Sequence, residues 1–184
     1  MDKEDRENLL HTAAAAIDYG LASRHKHRID LDLNAFNPTL QQHRASFVTL
    51  TIEQQLRGCM GTLEARQPLV LDVAYNAHSA AFKDPRFPPL TQTERDLLHI
   101  KISVLNPPCA LRFTSEQELL EIINPGEDGL ILEAGGHRAT FLPSVWEQLP
   151  EKSQFWIHLK RKAGLSDNYW SKQIQVSRYT TESF

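Results

Sequence analysis

Residues 56–61 read LRGCMG and place a guanidinium and a thiol two positions apart, with glycines close to the thiol. Just upstream, residues 46–52 (SFVTLTI) are rich in β-branched and aromatic side chains, a composition that favours a strand. The polar residues 53–55 then predict a turn, so that residues 56–63 return as the partner strand. The sequence therefore predicts a β-hairpin with the thiol on its second strand.

Side chains alternate between the two faces of a strand, so the second strand should present two different surfaces. One face should carry Arg57, Cys59 and Gly61, and the other Gly58, Met60 and Thr62. Glycine inside a strand usually marks a bulge or the close approach of another group. We therefore expect space to be kept open beside Cys59.

Helices and further strands follow along the rest of the chain. Leu10, Ala13, Ile17 and Leu21 recur at helical spacing and predict an amphipathic first helix. A second helix should begin at Pro68, end before Pro85, and be buried on two sides at the centre of the fold. Later segments predict strands over 99–105, 130–134, 138–142 and 172–178, with a capped helix from Ser115, a helical turn carrying Trp146, and a helix over 156–163. Hairpins and helices without regular βαβ repetition predict an α+β fold with mostly antiparallel sheets and flanking helices.

Composition excludes several classes of protein. The 184 residues carry a formal net charge of −3, which provides no basic field for nucleic acid. No apolar run approaches the roughly 20 residues that span a bilayer. With only two cysteines and a charged N-terminus, we expect a reducing, cytoplasmic location. We expect no metal site, since the pair His25 and His27 is more typical of an exposed segment than of metal ligands.

The hexapeptide at 56–61 resembles the signature of the AMMECR domain family, whose bacterial members are called AmmeMemoRadiSam system protein A. Met60 stands where isoleucine is usual, an apolar change that keeps the pattern. The resemblance continues in order over nearly all of the chain beyond about residue 40, through AAFKDPRF at 80–87, PL at 89–90, ISVL at 102–105, GLIL at 129–132 and FLPSVW at 141–146. It implies a single AMMECR-type domain over 1–184 with two unequal lobes, the larger built from both chain ends and the smaller from the middle.

The resemblance implies less about function, because the family has no established reaction. Its members are associated with a Memo-like protein and a radical-SAM protein, which implies a shared modification pathway with those partners. This chain lacks the three-cysteine cluster of a radical-SAM enzyme, since it has only Cys59 and Cys109. Neither the residues nor the resemblance names a substrate or a cofactor.

Cys59 is the first candidate catalytic residue. A thiolate is the reactive form of cysteine, and Arg57, about 7 Å away along the same face, could fold back to stabilise it. His78 could act as the base of a Cys–His pair. The alternatives are a small buried Cys59 and a hydrogen-bonded core His78.

Four further residues are candidate ligand-binding groups. Gly58 and Gly61 could present backbone N–H groups to an anion, or could be required by backbone geometry alone. Asp84 and Arg86 lie in a proline-stiffened loop, where Arg86 could bind a carboxylate or phosphate with Asp84 orienting it or acting as a base. The alternative is an ion pair that only fixes the loop.

These residues predict a ligand cleft around Cys59 and Arg57 and, as the leading hypothesis, cysteine-dependent group transfer. A noncatalytic adaptor or ligand-binding subunit for the same partners is the competing hypothesis. A third possibility is that Cys59 and the glycines serve folding only.

Overall fold

The computed structural model describes residues 1–24 and 30–184, so His25 and His27 lie outside the described residues. The chain divides into two compact units. Unit 1 comprises Met1–Leu105 together with Glu182–Phe184, and unit 2 comprises Asn106–Thr181.

Unit 1 places helices against one four-stranded antiparallel sheet of order β2-β1-β3-β8. Its elements are α1 (Lys3–Ala22), a 3₁₀ helix (Leu33–Ala35), α2 (Pro38–Gln41), β1 (Ser46–Ile52), β2 (Gln55–Gly61), α3 (Leu69–Phe82), α4 (Gln92–Arg95) and β3 (His99–Leu105), with β8 (Thr181–Ser183) at the sheet edge. Two of the helices, α2 and α4, were not predicted.

The core of unit 1 forms where α3 packs against the sheet and against α1. α3 is buried over most of its circumference, which agrees with the prediction of a helix buried on two sides. The buried stripe of α1 begins at Leu9 rather than at the expected Leu10, and continues through Ala13 and Ile17. On the sheet, Val48 and Leu50 are fully buried and face this core.

The predicted hairpin is present, but its second strand contains a bulge. Glu53 and Gln54 form the turn with positive φ angles of 49° and 65°. Leu50 pairs with Gly58 while the next residue, Thr51, pairs with Leu56, so Arg57 is the extra residue of β2. The strict alternation expected for Arg57 and Cys59 is therefore wrong at this point, and Arg57 and Gly58 are both buried.

Unit 2 holds a second four-stranded antiparallel sheet, of order β4-β7-β5-β6, with its own core. Its elements are β4 (Cys109–Ala110), α5 (Glu116–Ile122), β5 (Gly129–Ala134), β6 (His137–Phe141), a 3₁₀ helix (Pro143–Glu147), α6 (Lys152–Lys162) and β7 (Gln175–Tyr179). Ser115 caps α5 as predicted, but the Glu118 carboxylate accepts hydrogen bonds from Thr114 instead of closing a capping box. The strand predicted over 172–178 begins only at Gln175, as β7, and the short strand β8 that follows it was not predicted.

The two antiparallel sheets and their helices confirm the predicted α+β class. None of the helices in residues 1–24 and 30–184 combines the length and apolar character that a membrane span requires.

Candidate functional site

Cys59 lies on β2, which is the edge strand of its sheet. It pairs with Thr49 of β1, and its Sγ atom is 3.3 Å from Thr49 Oγ1. Because Val48 and Leu50 occupy the core face of β1, the Thr49–Cys59 pair belongs to the opposite face of the sheet. Cys59 is half-buried there, so its sulfur is not sealed inside the core.

Two residues of the loop after α3 bind the two polar backbone groups of Cys59. The Cys59 N–H donates to Asp84 Oδ2 at 2.8 Å, and Arg86 Nη2 donates to the Cys59 carbonyl oxygen at 3.4 Å. An edge strand has polar groups that no neighbouring strand uses, and here two side chains take them. These contacts fix the backbone of Cys59, and Thr49 Oγ1 is the polar contact of its sulfur.

Asp84 and Arg86 form a two-pronged ion pair. Arg86 Nε donates to Asp84 Oδ1 at 2.9 Å and Arg86 Nη2 to Asp84 Oδ2 at 2.6 Å. The hydrogen bond from Arg86 holds the pKa of Asp84 at about 2, against the opposing effect of burial. The Asp84 side chain is 2% exposed and that of Arg86 is 54% exposed, so the pair presents its positive end to solvent.

The same pairing raises the pKa of Arg86, chiefly through the hydrogen bond to Asp84, with a smaller contribution from attraction to Cys59. Arg86 is thus a guanidinium that interacts electrostatically with the sulfur-bearing residue. The sequence assigned this part to Arg57.

Arg57 is directed toward another group. Its Nε donates to Glu94 Oε1 at 2.7 Å, and its Nη2 donates to Glu94 Oε2 at 3.2 Å and to the Pro88 carbonyl at 2.9 Å. The expectation that Arg57 folds back toward Cys59 is corrected, because the bulge turns this side chain into the loop. Arg57 also holds the pKa of Glu94 at about 2.

His78 is not brought to Cys59. It is 2% exposed on α3, where its ring centroid lies 4.9 Å from that of Phe82. A Cβ atom on Gly20 of α1 would lie 3.0 Å from His78 Cδ2, so this side of α3 packs on α1 and not on the hairpin. The expected Cys59–His78 pair is therefore not formed.

The two glycines of the hexapeptide have packing roles. A Cβ atom on Gly58 would lie 2.2 Å from the carbonyl oxygen of Ala80, and one on Gly61 would lie 2.2 Å from the ring of Phe47. Close approach of the α3 backbone and of an aromatic ring explains both residues. Their predicted ligand-binding role stays a prediction.

Sequence reasoning missed Glu94, the partner of Arg57. Its signal was present as T-x-x-E at residues 91–94, the pattern of a capping box, and the structure forms this box at α4. The Glu94 carboxylate accepts hydrogen bonds from both the backbone and the hydroxyl group of Thr91 and from Arg57. No group of three or more potential metal-ligating side chains occurs in the described part of the chain.

Comparison with known proteins gives consistent results over most of the chain. A family model described as AMMECR1 matches residues 10–184. Protein MJ0810 of Methanocaldococcus jannaschii is 35% identical over 156 residues, covering 83% of this chain and 78% of that protein. A protein of Methanothermobacter thermautotrophicus is 33% identical over 186 residues, covering 100% and 95%. The crystal structure of uncharacterized protein PH0010 from Pyrococcus horikoshii superimposes with a TM-score of 0.90 at 32% identity, covering 100% of this chain and 92% of that one.

Proposed function

The chain belongs to the AMMECR1 family, and from this premise we propose that it is a cysteine-dependent ligand-binding protein of a modification pathway. Its partners there are a Memo-like protein and a radical-SAM protein, and Cys59 is the residue that meets the ligand. The observation that carries the proposal is that Asp84 and Arg86 form hydrogen bonds with the backbone N–H and C=O groups of Cys59. Such an arrangement orients a reactive side chain at little entropic cost.

The chemistry assigned to the site is nucleophilic group transfer. Sγ of Cys59 loses its proton to a solvent base and forms a bond to an electrophilic carbon of the ligand, while the leaving group departs with the electron pair of the broken bond. Arg86 Nη2 lies 3.4 Å from the Cys59 carbonyl oxygen, so its positive charge can attract the negative sulfur of the attacking form, and the Thr49 hydroxyl at 3.3 Å can donate a hydrogen bond to that sulfur. Arg86 therefore takes the role that the sequence gave to Arg57, and a solvent base takes the role that the sequence gave to His78.

Alkylation kinetics test this proposal. In a Cys109→Ser background, which removes the exposed second thiol, native Cys59 should react with iodoacetamide faster than the same thiol in urea-unfolded protein. Arg86→Gln should slow the native reaction severalfold. Arg66→Gln is the matched control, because Arg66 also pairs with an acid two residues earlier, Glu64, and should leave the rate unchanged.

A native rate no faster than that of the unfolded thiol would refute an activated Cys59. So would an Arg86→Gln rate equal to that of the Arg66→Gln control.

One observation favours the noncatalytic alternative, in which the chain is an adaptor or ligand-binding subunit for the same partners. Both guanidiniums near the hexapeptide already bind carboxylates, Arg57 that of Glu94 and Arg86 that of Asp84. Under this hypothesis Cys59→Ser leaves partner binding and pathway activity intact. A covalent adduct trapped on Cys59 during turnover would exclude it.

We also propose a cytoplasmic location, on the basis of the two unpaired thiols. Fractionation of cells that express the tagged chain tests it, and recovery of the protein outside the cytoplasm would contradict it.

A further inference from the structure

A cavity opens in unit 2 where the pairing of β4 with β7 ends. Within the described residues, the last backbone hydrogen bond of this pairing runs from the Leu111 N–H to the Val176 carbonyl oxygen at 2.8 Å. The chain then turns away to begin α5, and two hydrogen bonds from Thr114 to Glu118 Oε2 hold the turn. A cavity of about 580 Å³ is left between residues 110–114 and residues 174–177. This volume lies within the range of sites that bind small molecules.

Much of the cavity lining is apolar. Leu111 and Phe113 are half-buried and pack against the core of unit 2, and Ile174 and Val176 are buried. The ring centroid of Phe113 lies 5.9 Å from that of Trp170, so a tryptophan lies next to a side chain that lines the cavity. The cavity therefore offers an apolar surface to an occupant, and the fluorescence of Trp170 can report on that occupant.

The lining also carries a guanidinium that is free to bind. Arg112 is exposed, and within residues 1–24 and 30–184 it has no hydrogen bond or ion pair. It differs in this from Arg57 and Arg86 of unit 1, which already bind carboxylates. Because Arg112 and Phe113 are neighbours in the chain and line the same cavity, a single small molecule can contact both.

The second charged residue of the lining, Glu118, limits the charge of the occupant. Hydrogen bonds from the backbone and hydroxyl groups of Thr114 lower the pKa of Glu118, so its carboxylate stays ionised at neutral pH. This negative charge repels a phosphate dianion more strongly than a carboxylate, which has a single charge and matches the planar guanidinium of Arg112. The lining therefore favours a monocarboxylate over a phosphate.

We propose that this cavity binds a small monocarboxylate with an apolar body, whose carboxylate is bound by Arg112 and whose apolar part packs on Leu111 and Phe113. This inference goes beyond the proposed function and does not depend on it, because every residue that it uses lies in unit 2 and Cys59 lies in unit 1. Failure of the alkylation test therefore leaves it standing, and its own failure leaves the reactivity of Cys59 untouched.

Tryptophan fluorescence of the whole chain tests the proposal with cyclohexylacetate, which does not absorb where tryptophan does. The fluorescence should change along a saturating curve, and this change should disappear in Trp170→Phe. Cyclohexylacetamide lacks the charge and acetate lacks the apolar body, so each should bind at least about tenfold more weakly than cyclohexylacetate. Inorganic phosphate should also bind more weakly.

Arg112→Gln removes the guanidinium at an exposed position where it has no hydrogen bond or ion pair, so the variant should fold. Its affinity for cyclohexylacetate should fall to that for cyclohexylacetamide, which should be unchanged. Arg138→Gln is the matched control, because Arg138 is an exposed arginine of the same unit that pairs with Glu133 at 2.9 Å and does not line this cavity. It should bind cyclohexylacetate as wild type does.

The proposal is overturned if cyclohexylacetate gives no saturable response, or if Arg112→Gln binds it as tightly as Arg138→Gln does. Equal affinity for cyclohexylacetamide, acetate or phosphate would also overturn it, because charge and apolar body would then not be recognised together. Backbone amide resonances locate the site in the wild-type chain. Those of residues 111–114 and 175–177 should shift during the titration, and shifts confined to other residues would contradict the assignment.

Discussion

Replacing Gly58 by alanine should destabilise unit 1 far more than replacing Gly61, although both glycines belong to one hexapeptide. The new Cβ atom at position 58 would lie 2.2 Å from the carbonyl oxygen of Ala80, whereas ordinary contact begins near 3.4 Å. The backbone of α3 must then move by about 1.2 Å relative to β2, and overpacking of this kind typically costs about 1–3 kcal/mol. The lower backbone entropy of alanine recovers only about 0.5–1 kcal/mol. Because the atom that the new Cβ atom meets is backbone, we take the upper end of the packing cost, about 3 kcal/mol, which leaves a net loss of about 2 kcal/mol, or about 4–8 °C in melting temperature for a chain of this length.

Gly61→Ala is the matched control because its clash is of a different kind. The Cβ atom would also lie 2.2 Å from its neighbour, but that neighbour is the side-chain ring of Phe47, which is half-buried and can make room by a change of χ1 without any shift of a helix backbone. We expect a net loss of stability below about 1 kcal/mol, because the entropic gain of the substitution offsets most of its packing cost.

The assay must report on unit 1. All three tryptophans lie in unit 2, so fluorescence would follow the wrong part of the chain: Trp146, Trp156 and Trp170. Native-state hydrogen exchange of the β1 and β2 amides measures the local free energy of opening directly. The reasoning is refuted if Gly58→Ala costs less than about 0.5 kcal/mol, or if Gly61→Ala costs as much as Gly58→Ala.

Three further predictions concern buried charges. The pKa of Asp84 is held at about 2, below its ordinary 3.8, so its contribution to stability is present above about pH 4 and is lost as the pH falls toward 2. Urea unfolding should therefore show a difference of about 2 kcal/mol between wild type and Asp84→Asn at pH 7 that vanishes near pH 2, and a constant difference would contradict this. Asp72, whose pKa is raised by burial, accepts hydrogen bonds from side chains that include Ser46 and Thr62, so Asp72→Asn turns a donor toward donors and should cost about 2–3 kcal/mol in thermal unfolding. A stability like that of wild type would argue against the network. Lys160 is fully buried in unit 2, whereas its partner Glu116 is 36% exposed and stays hydrated when the lysine is removed. Lys160→Met should therefore change the free energy of unfolding in urea by less than about 1 kcal/mol. A loss above about 3 kcal/mol would mean that this ion pair is strongly stabilising.

The hairpin that carries the candidate site was predictable because its signals are local. β-branched residues, a polar turn and strand glycines lie within 16 residues of one another in β1 and β2. The bulge at Arg57 was not predictable, because it depends on how closely Gly58 must approach the backbone of Ala80. That single extra residue directs Arg57 to the carboxylate of Glu94.

The partners of the candidate residues show the same division. Asp84 and Arg86 are two positions apart, and their ion pair was already an alternative at the level of sequence. Glu94 carried a helix-start signal, but nothing in the sequence linked it to Arg57, which lies 37 positions earlier. The sequence offered His78 as a base for Cys59, but the direction of its side chain depends on how α3 packs on α1.

The sequence by itself determined the α+β class, the hairpin and the family, because strand propensity, turn chemistry and the hexapeptide are properties of adjacent residues. Only the tertiary structure decided that Arg86 rather than Arg57 binds the backbone of Cys59, that Arg57 pairs with Glu94, and that His78 faces α1. The physical reason is that a side chain's partner is set by packing between elements distant in the chain, and a one-residue change of register redirects it.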